Sequence, residues 1–315
     1  MAACAQLAAR ARPLARPNPG VAALVVKDDR VIARGWTAQG GRPHAEAAAL
    51  AHLPDRSMKG ATLYVTLEPC AHVSERGPAC TDLVCEAKPD RVVIGQLDPD
   101  PRTAGQGVER LKEAGIDVDL LDDSASLASL SGYLTQAKSG RPYVTLKLAL
   151  SLDGCIAFSD GSSQWITGEA ARAHVHAHRA RNHAILVGGA TWRADQPQLN
   201  VRLPGLETRS PERLLLSRGV APNGVKVINR PEKISGLNTV QYLYVEGGAH
   251  AAASFLKADL VDELHLYRAP ILVGDGLRGL AALELDSLSE AHGRWCRSDQ
   301  RMLGSDAFTA YLRTR

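Results

Sequence analysis

The sequence predicts a two-domain α/β protein, and three observations carry that prediction. A chain of 315 residues is about two domains' worth of polypeptide. Short apolar runs alternate with helix-favouring stretches in both halves, the pattern of an α/β layer fold. Between the halves, "LDDSASLASLSGYLTQAKSGRP" (121–142) turns polar and Ser-rich and ends at Gly140-Arg141-Pro142. The boundary is placed there, giving domains 1–140 and 141–315.

The elements follow in order. Arg10, Arg12 and Arg16 precede the first acid, Asp28, in a faint likeness to a transit peptide. A short first helix running into a proline-bounded turn is the preferred reading. "VAALVV" (21–26) and "RVIARG" (30–35) flank a turn and read as a hairpin. "HAEAAALAHL" (44–53) favours helix. "ATLYVTL" (61–67) and "DRVVIGQL" (90–97) read as buried strands, and "GVERLKEAG" (107–115) as a helix stopped by glycine. In the second half, strands are expected at 143–150, 183–189, 213–217, 225–229, 241–246 and 262–268, with helices at 169–181 and 249–258.

Composition narrows the function. Apolar residues make up 45% and charged ones 23%, ordinary for a chain with a sizeable core. No uncharged apolar run approaches the roughly 18 residues that span a bilayer. Net charge is +3 with acids and bases intermixed, and aromatics are 4%. A nucleic-acid surface needs a basic stripe, so a small metabolite, an anionic one included, is the better ligand class.

"TLEPCAHVSERGPAC" (66–80) raises the sharpest question. Cys70 and Cys80 suit a disulfide, two buried thiols or two legs of a metal site. Nothing resembles a secretory h-region, so a reducing cytosol is expected, where disulfides are rare. A zinc site needs three or four converging donors. His44 at the start of one helix, with Cys70 and Cys80 bracketing the start of the next, supplies three. Glu46 lies within reach without having to bind. Three protein ligands leave a fourth zinc position for water, whose pKa zinc lowers toward about 7. A helix N-terminus near the cysteines favours thiolates.

His-x-Glu followed by Pro-Cys and a second Cys is the signature of zinc nucleobase deaminases. The order "PNPGVAALVV", "PHAE", "TLEPC", "DPDPRTAGQG", "VTLKLALSLDG" and "SQWIT" resembles the bifunctional deaminase–reductase family of riboflavin biosynthesis over almost the whole chain. That resemblance implies a cytidine-deaminase-like three-layer αβα domain followed by a dihydrofolate-reductase-like α/β domain. It makes His44, Cys70 and Cys80 the ligands of one zinc per chain and Glu46 the proton shuttle. Asn18, His72, Arg76 and Asp98 match pyrimidine contacts, although Asn18 and Asp98 also suit plain turns. Two departures stand out: the Cys70–Cys80 loop is one residue longer than the commonest form, and Thr37 replaces a substrate-binding histidine.

The remaining cysteines, Cys4, Cys85, Cys155 and Cys296, lack metal spacing and read as ordinary small residues. His174, His176 and His178 read as a solvated helix face rather than a metal site. No Gly-x-Gly-x-x-Gly follows a strand, so a Rossmann site is unsupported. "YVEGGAHAAASFL" (244–256) instead ends a strand at Glu246 and opens a helix at Gly247-Gly248, either a phosphate site or a tight turn.

For the second half the resemblance implies NADPH, with Ala149, Trp165, Thr191, Asp195, Ser217 and the Gly248 turn at cofactor positions. Lys147, Asp153, Ser163, Arg179, Leu199, Arg202 and Glu246 match the site of a phosphorylated substrate. Arg179 and Arg202 suit a phosphate because guanidinium pairs it bidentately. The 203–245 segment is shorter than in many relatives, with room for two short strands and little helix.

The expectation is a cytoplasmic, homo-oligomeric enzyme acting on phosphorylated pyrimidines, with no nucleic-acid or membrane partner. It would deaminate 2,5-diamino-6-(5-phosphoribosylamino)pyrimidin-4-one and then reduce the ribosyl group to ribityl. The competing readings are a tRNA or single-strand deaminase and an active deaminase carrying a degenerate second domain.

Overall fold

The computed structural model describes residues 1–72, 75–220 and 222–315. Val73 and Ser74, inside the cysteine motif, and Ala221 lie outside the described residues. Contacts gather into two compact units, Met1–Gly140 and Arg141–Arg315.

The first unit is built on a five-stranded sheet ordered β2-β1-β3-β4-β5. Its strands are β1 (Ala22–Lys27), β2 (Arg30–Trp36), β3 (Thr62–Val65), β4 (Arg91–Ile94) and β5 (Asp117–Leu120). β1 and β2 form the expected hairpin, while β3, β4 and β5 run parallel. Alternation along β1 sorts its side chains to two faces. Ala23 and Val25 join the core beneath α2 (Ala45–Leu50), α3 (Cys80–Ala87) and α4 (Gln106–Glu113). Ala22 and Leu24 pack instead with Cys4, Leu7 and Ala8 of α1 (Ala2–Ala11). Helices on both faces give the three layers. Two short helices, α5 (Ser124–Ser129) and α6 (Ser131–Ser139), close the unit. Leu130 is buried in the main core, and Tyr133 and Leu134 pack against it.

The second unit carries an eight-stranded sheet ordered β10-β9-β8-β11-β6-β12-β15-β14. Its strands are β6 (Tyr143–Leu150), β8 (Ala184–Gly188), β9 (Glu212–Leu216), β10 (Lys226–Ile228), β11 (Tyr242–Val245), β12 (Glu263–Arg268), β14 (Trp295–Leu303) and β15 (Asp306–Arg313). β7 (Cys155–Phe158) and β13 (Gly276–Arg278) pair apart from it. From β10 to β12 every neighbour is parallel. β11 inserts between β8 and β6, so the chain reverses its order there. In such open sheets ligands bind in the crevice beyond the carboxyl ends, at the reversal. Helix α9 (Ala249–Lys257) covers one face through Phe255, and α7 (Glu169–Arg179) covers the other through Ala171 and Val175. The last helix to matter is α8 (Gly189–Asp195), directly after β8.

Among its described residues, the shortened 203–245 segment holds β9, β10, two 3₁₀ turns and, at its end, β11, with no α-helix. The histidine face of α7 is not solvated. His176 is buried, His174 Nδ1 lies 2.8 Å from Tyr267 Oη, and His178 packs edge-on to His265 with ring centres 4.5 Å apart. The aromatic floor of the sheet, Tyr244, Tyr267 and Phe308, takes these imidazoles as packing partners.

Candidate active site

In the first unit, the turn into α2 and the start of α3 bring the expected ligands together. His44 N-caps α2, placing Glu46 in its first turn. Cys80 is the first residue of α3, and its backbone N–H donates to Cys70 Sγ at 3.3 Å. Thr81 closes the ten-residue gap: its N–H and hydroxyl both donate to the Cys70 carbonyl, at 3.2 and 3.0 Å. His44 Nδ1 consequently stands 3.6 Å from Cys70 Sγ and 3.3 Å from Cys80 Sγ.

All three donor atoms fall within 4.8 Å of one another. Tetrahedral zinc with bonds of about 2.3 Å to sulfur and 2.0 Å to nitrogen asks for donor separations near 3.6 Å. The donors therefore fit zinc in chemistry and in spacing. The Cys70 thiol is pulled down to about 4 by hydrogen bonds from the Cys80 thiol, His44 and the Cys80 N–H. Cys80 moves the opposite way, since the pair shares a proton and lies deep in the fold. Glu46 is buried, and that burial raises its carboxyl pKa against the pull of His44.

Around this centre lies a cavity of about 300 Å³. Asn18 reaches it by setting Nδ2 2.8 Å from His44 Nε2 while donating to the Gly41 carbonyl at 3.0 Å. Gly41 has φ +88°, and a Cβ there would sit 2.7 Å from Asn18 Cγ, so this close approach needs glycine. His72 Nδ1 lies 3.4 Å from Thr103 Oγ1, and Arg76 donates to the Gly40 carbonyl at 2.5 Å. Asp98, Thr37 and Arg42 also line the cavity. Thr37 is buried and accepts the Val21 N–H at 3.0 Å.

Two residues that sequence reasoning missed shape this wall. Glu68, the acid of "TLEPC", accepts three backbone N–H groups, from Asp98, Gly105 and Val108, at 3.0–3.2 Å. It thereby staples "DPDPRTAGQG" to the strand end that carries Cys70. Tyr133 of α6 donates to Asp98 Oδ1 at 2.6 Å. Neither had a sequence signal, because both roles arise from contacts 30 or more positions apart.

In the second unit, three charged residues meet under α7. Arg179 holds Glu246 bidentately at 2.6 and 2.9 Å, and Lys147 Nζ lies 3.9 Å from Glu246 Oε2. Burial pushes Glu246 up, but Arg179 and Lys147 outweigh it and hold the carboxyl below its ordinary range. Burial depresses Lys147. Because Arg179 spends its fork on Glu246 and on the Asn200 carbonyl, Arg202 is the more open guanidinium. Its side chain is exposed, and its N–H donates to His176 Nδ1 at 3.2 Å. Leu199, buried beside this loop, has φ +55°.

The cofactor positions gather differently. Ala149, Ser217 and Gly248 stand at or just past the carboxyl ends of β6, β9 and β11, and Thr191 lies in α8 after β8. Gly248 caps α9, and a Cβ there would come 2.9 Å from Thr191 Oγ1. That bare cradle, with free N–H groups of a helix start, fits a nucleotide phosphate. Asp195 is exposed at the end of α8. Trp165, 63% exposed, lies under the Arg172 guanidinium at 4.8 Å, two residues after Ser163. Asp153 is set apart from the buried triad: its carboxylate accepts the N–H groups of Val273 and Gly274, the latter at 2.7 Å.

A His/Cys/Cys centre with a buried acid, followed by a doubly covered sheet with a nucleotide cradle, defines a zinc deaminase joined to a pyridine-nucleotide reductase. The comparisons agree half by half. Residues 1–96 match the cytidine and deoxycytidylate deaminase zinc-binding region, and 142–242 and 236–294 match the RibD C-terminal domain. The chain is 36% identical to riboflavin biosynthesis protein RibD of Escherichia coli K12, with 92% of each chain covered. It is 39% identical to RibD of Bacillus amyloliquefaciens, over 86% of this chain and 84% of that one. The crystal structure of a Thermotoga maritima diaminohydroxyphosphoribosylaminopyrimidine deaminase/5-amino-6-(5-phosphoribosylamino)uracil reductase superposes with a TM-score of 0.88 at 31% identity, covering 99% and 97% of the two chains.

The chain belongs to the RibD family, the bifunctional deaminase–reductases of riboflavin biosynthesis. Its first half is the zinc-binding deaminase and its second the NADPH-dependent reductase. Among the described residues, no helix is long and apolar enough to cross a membrane.

Proposed function

We propose that this chain takes 2,5-diamino-6-(5-phosphoribosylamino)pyrimidin-4-one, replaces its 2-amino group by oxygen, and reduces the ribosyl group of the product to ribityl. The observation that carries the first step is the convergence of His44, Cys70 and Cys80 beside buried Glu46. These three residues would hold zinc, which would supply Lewis acidity and a water-derived nucleophile at neutral pH. Glu46 would carry a proton from the attacking water to the departing ammonia. Asn18, His72 and Asp98 orient the pyrimidine, and Arg76 faces the cavity mouth with them.

In the reductase half, Ala149, Trp165, Thr191, Asp195, Ser217 and the Gly248 turn would hold NADPH, which would supply the hydride. Reduction also takes up one proton, which we assign to Lys147 Nζ, held beside Glu246. Ser163, Leu199 and Arg202 hold the phosphorylated sugar. Arg179 keeps Glu246 ionised, and Asp153 fixes the 273–274 loop. The enzyme works in the cytoplasm on small phosphorylated pyrimidines, as a homo-oligomer.

Glu46→Gln tests the assignment. It carries no zinc bond in this reading, so metal content and fold should persist while ammonia release falls about 10²–10⁴-fold. Given the deaminated substrate, the same variant should oxidise NADPH at the wild-type rate. Loss of both activities in a folded protein would overturn the two-site reading.

A further inference from the structure

Asp98 is held at two points from outside its own loop, and at a third from within it. Its backbone N–H donates to Glu68 Oε2 at 3.2 Å. Its Oδ1 accepts the Tyr133 phenol at 2.6 Å and the Asp100 N–H at 3.0 Å. Asp98 is only 8% exposed, yet it and Tyr133 both line the deaminase cavity. A carboxylate in such a wall has two oxygens to offer. Here one already accepts two N–H or O–H groups, which leaves Oδ2 as the acceptor for a ligand.

We propose that Tyr133 is a positioning residue of the deaminase: by occupying Oδ1 it fixes the plane of the Asp98 carboxylate and aims Oδ2 at an N–H donor of the pyrimidine. The inference rests on the reading of Asp98 as a substrate contact. The physical case is the cost of mobility. A carboxylate held by the Asp100 N–H alone keeps more χ rotation than one pinned by the phenol as well, and a bound ring must then stop that rotation at the expense of affinity. Hydrogen bonds to a charged acceptor are the strong ones, and a phenol anchored in a packed helix gives up little freedom in making one. Tyr133 packs against the main core of the unit, so its hydroxyl is delivered from a fixed base. Burial raises the Asp98 carboxyl, and the Tyr133 hydrogen bond opposes that. This favours the ionised acceptor the proposal requires.

The arrangement predicts an effect on binding rather than on bond-making, since Tyr133 touches neither the metal ligands nor Glu46. The test is a double-mutant cycle on the full-length, zinc-loaded protein, with ammonia release as the readout. Tyr133→Phe should raise KM about tenfold, the loss of one charge-assisted hydrogen bond. It should leave kcat within about twofold and zinc content unchanged, in a protein that is still folded at the assay temperature. Asp98→Asn should raise KM by at least as much. Adding Tyr133→Phe to Asp98→Asn should then cost less than about twofold more, because the phenol acts through the carboxylate. Multiplying effects, or a fall in kcat at constant KM, would overturn the proposal. A raised KM in Asp98→Asn with none in Tyr133→Phe would defeat the positioning role alone. An unchanged KM in Asp98→Asn would remove the substrate contact itself, and the proposal with it.

Discussion

Arg179→Met isolates the buried ion pair of the reductase half. In the wild type the Arg179 and Glu246 side chains are 12% and 10% exposed, and two hydrogen bonds join them. Methionine fills much of the same space but leaves Glu246 facing only Lys147, 3.9 Å away. Removing one member of a buried pair costs about 3–5 kcal/mol, mostly the penalty of an uncompensated charge. With a urea dependence of about 2 kcal/mol/M, that moves the midpoint down by roughly 2 M. Tryptophan fluorescence can follow it, since Trp165, Trp192 and Trp295 all lie in 141–315.

The sign of the pH effect follows from the charge. The wild-type Glu246 carboxyl is held low, so its contribution is complete above the ordinary 4.5 and is lost as pH falls through the lower folded value. In Arg179→Met burial dominates and raises that carboxyl, so protonation relieves the variant and its deficit should be smaller at pH 5 than at pH 8. Arg179→Met/Glu246→Gln should recover most of the stability and none of the reduction. A midpoint shift below about 0.5 M, or a double variant no more stable than the single one, would refute this account of the pair.

Other outcomes follow from the same geometry. Cys70→Ser should lose zinc and ammonia release together, whereas Cys85→Ser and Cys155→Ser should keep both; metal analysis of the three proteins checks this. Burial holds His174 and His176 down at about 4, against 6.5 in the unfolded chain. The unfolded state therefore binds more protons between those values, and the reductase half should weaken as pH falls from 6.5 toward 4. After allowance for partial solvent contact this is on the order of 1 kcal/mol per imidazole. The drop between pH 7 and pH 5 should shrink in His174→Gln, and an equal drop in both proteins would contradict it.

The convergence of His44, Cys70 and Cys80 is legible because these residues come in short, ordered motifs whose chemistry is specific. The hairpin of β1 and β2 was legible because alternation and a turn coincide. What escaped needed tertiary information. In the sequence Tyr133 is one aromatic in a Ser-rich passage, and Glu68 stands between Leu67 and Pro69. Each acquires its role only when β3, α6 and the 98–108 loop converge. The histidines of α7 depart from the expected solvated face because the sheet offers them aromatic rings and a phenol in place of water. β14 gave little signal, since "WCRSDQRML" is polar and mostly exposed at a sheet edge. β15 alternates cleanly, with Asp306, Phe308 and Ala310 buried, and was within reach of the pattern.

The most direct test of two sequential sites on one chain is stoichiometry. Zinc-loaded protein is given 2,5-diamino-6-(5-phosphoribosylamino)pyrimidin-4-one and excess NADPH, and ammonia and the loss of NADPH absorbance are recorded together. One NADPH oxidised per ammonia released, with NADPH consumption starting after a lag, is the predicted result. Ammonia release with no NADPH consumed would contradict it.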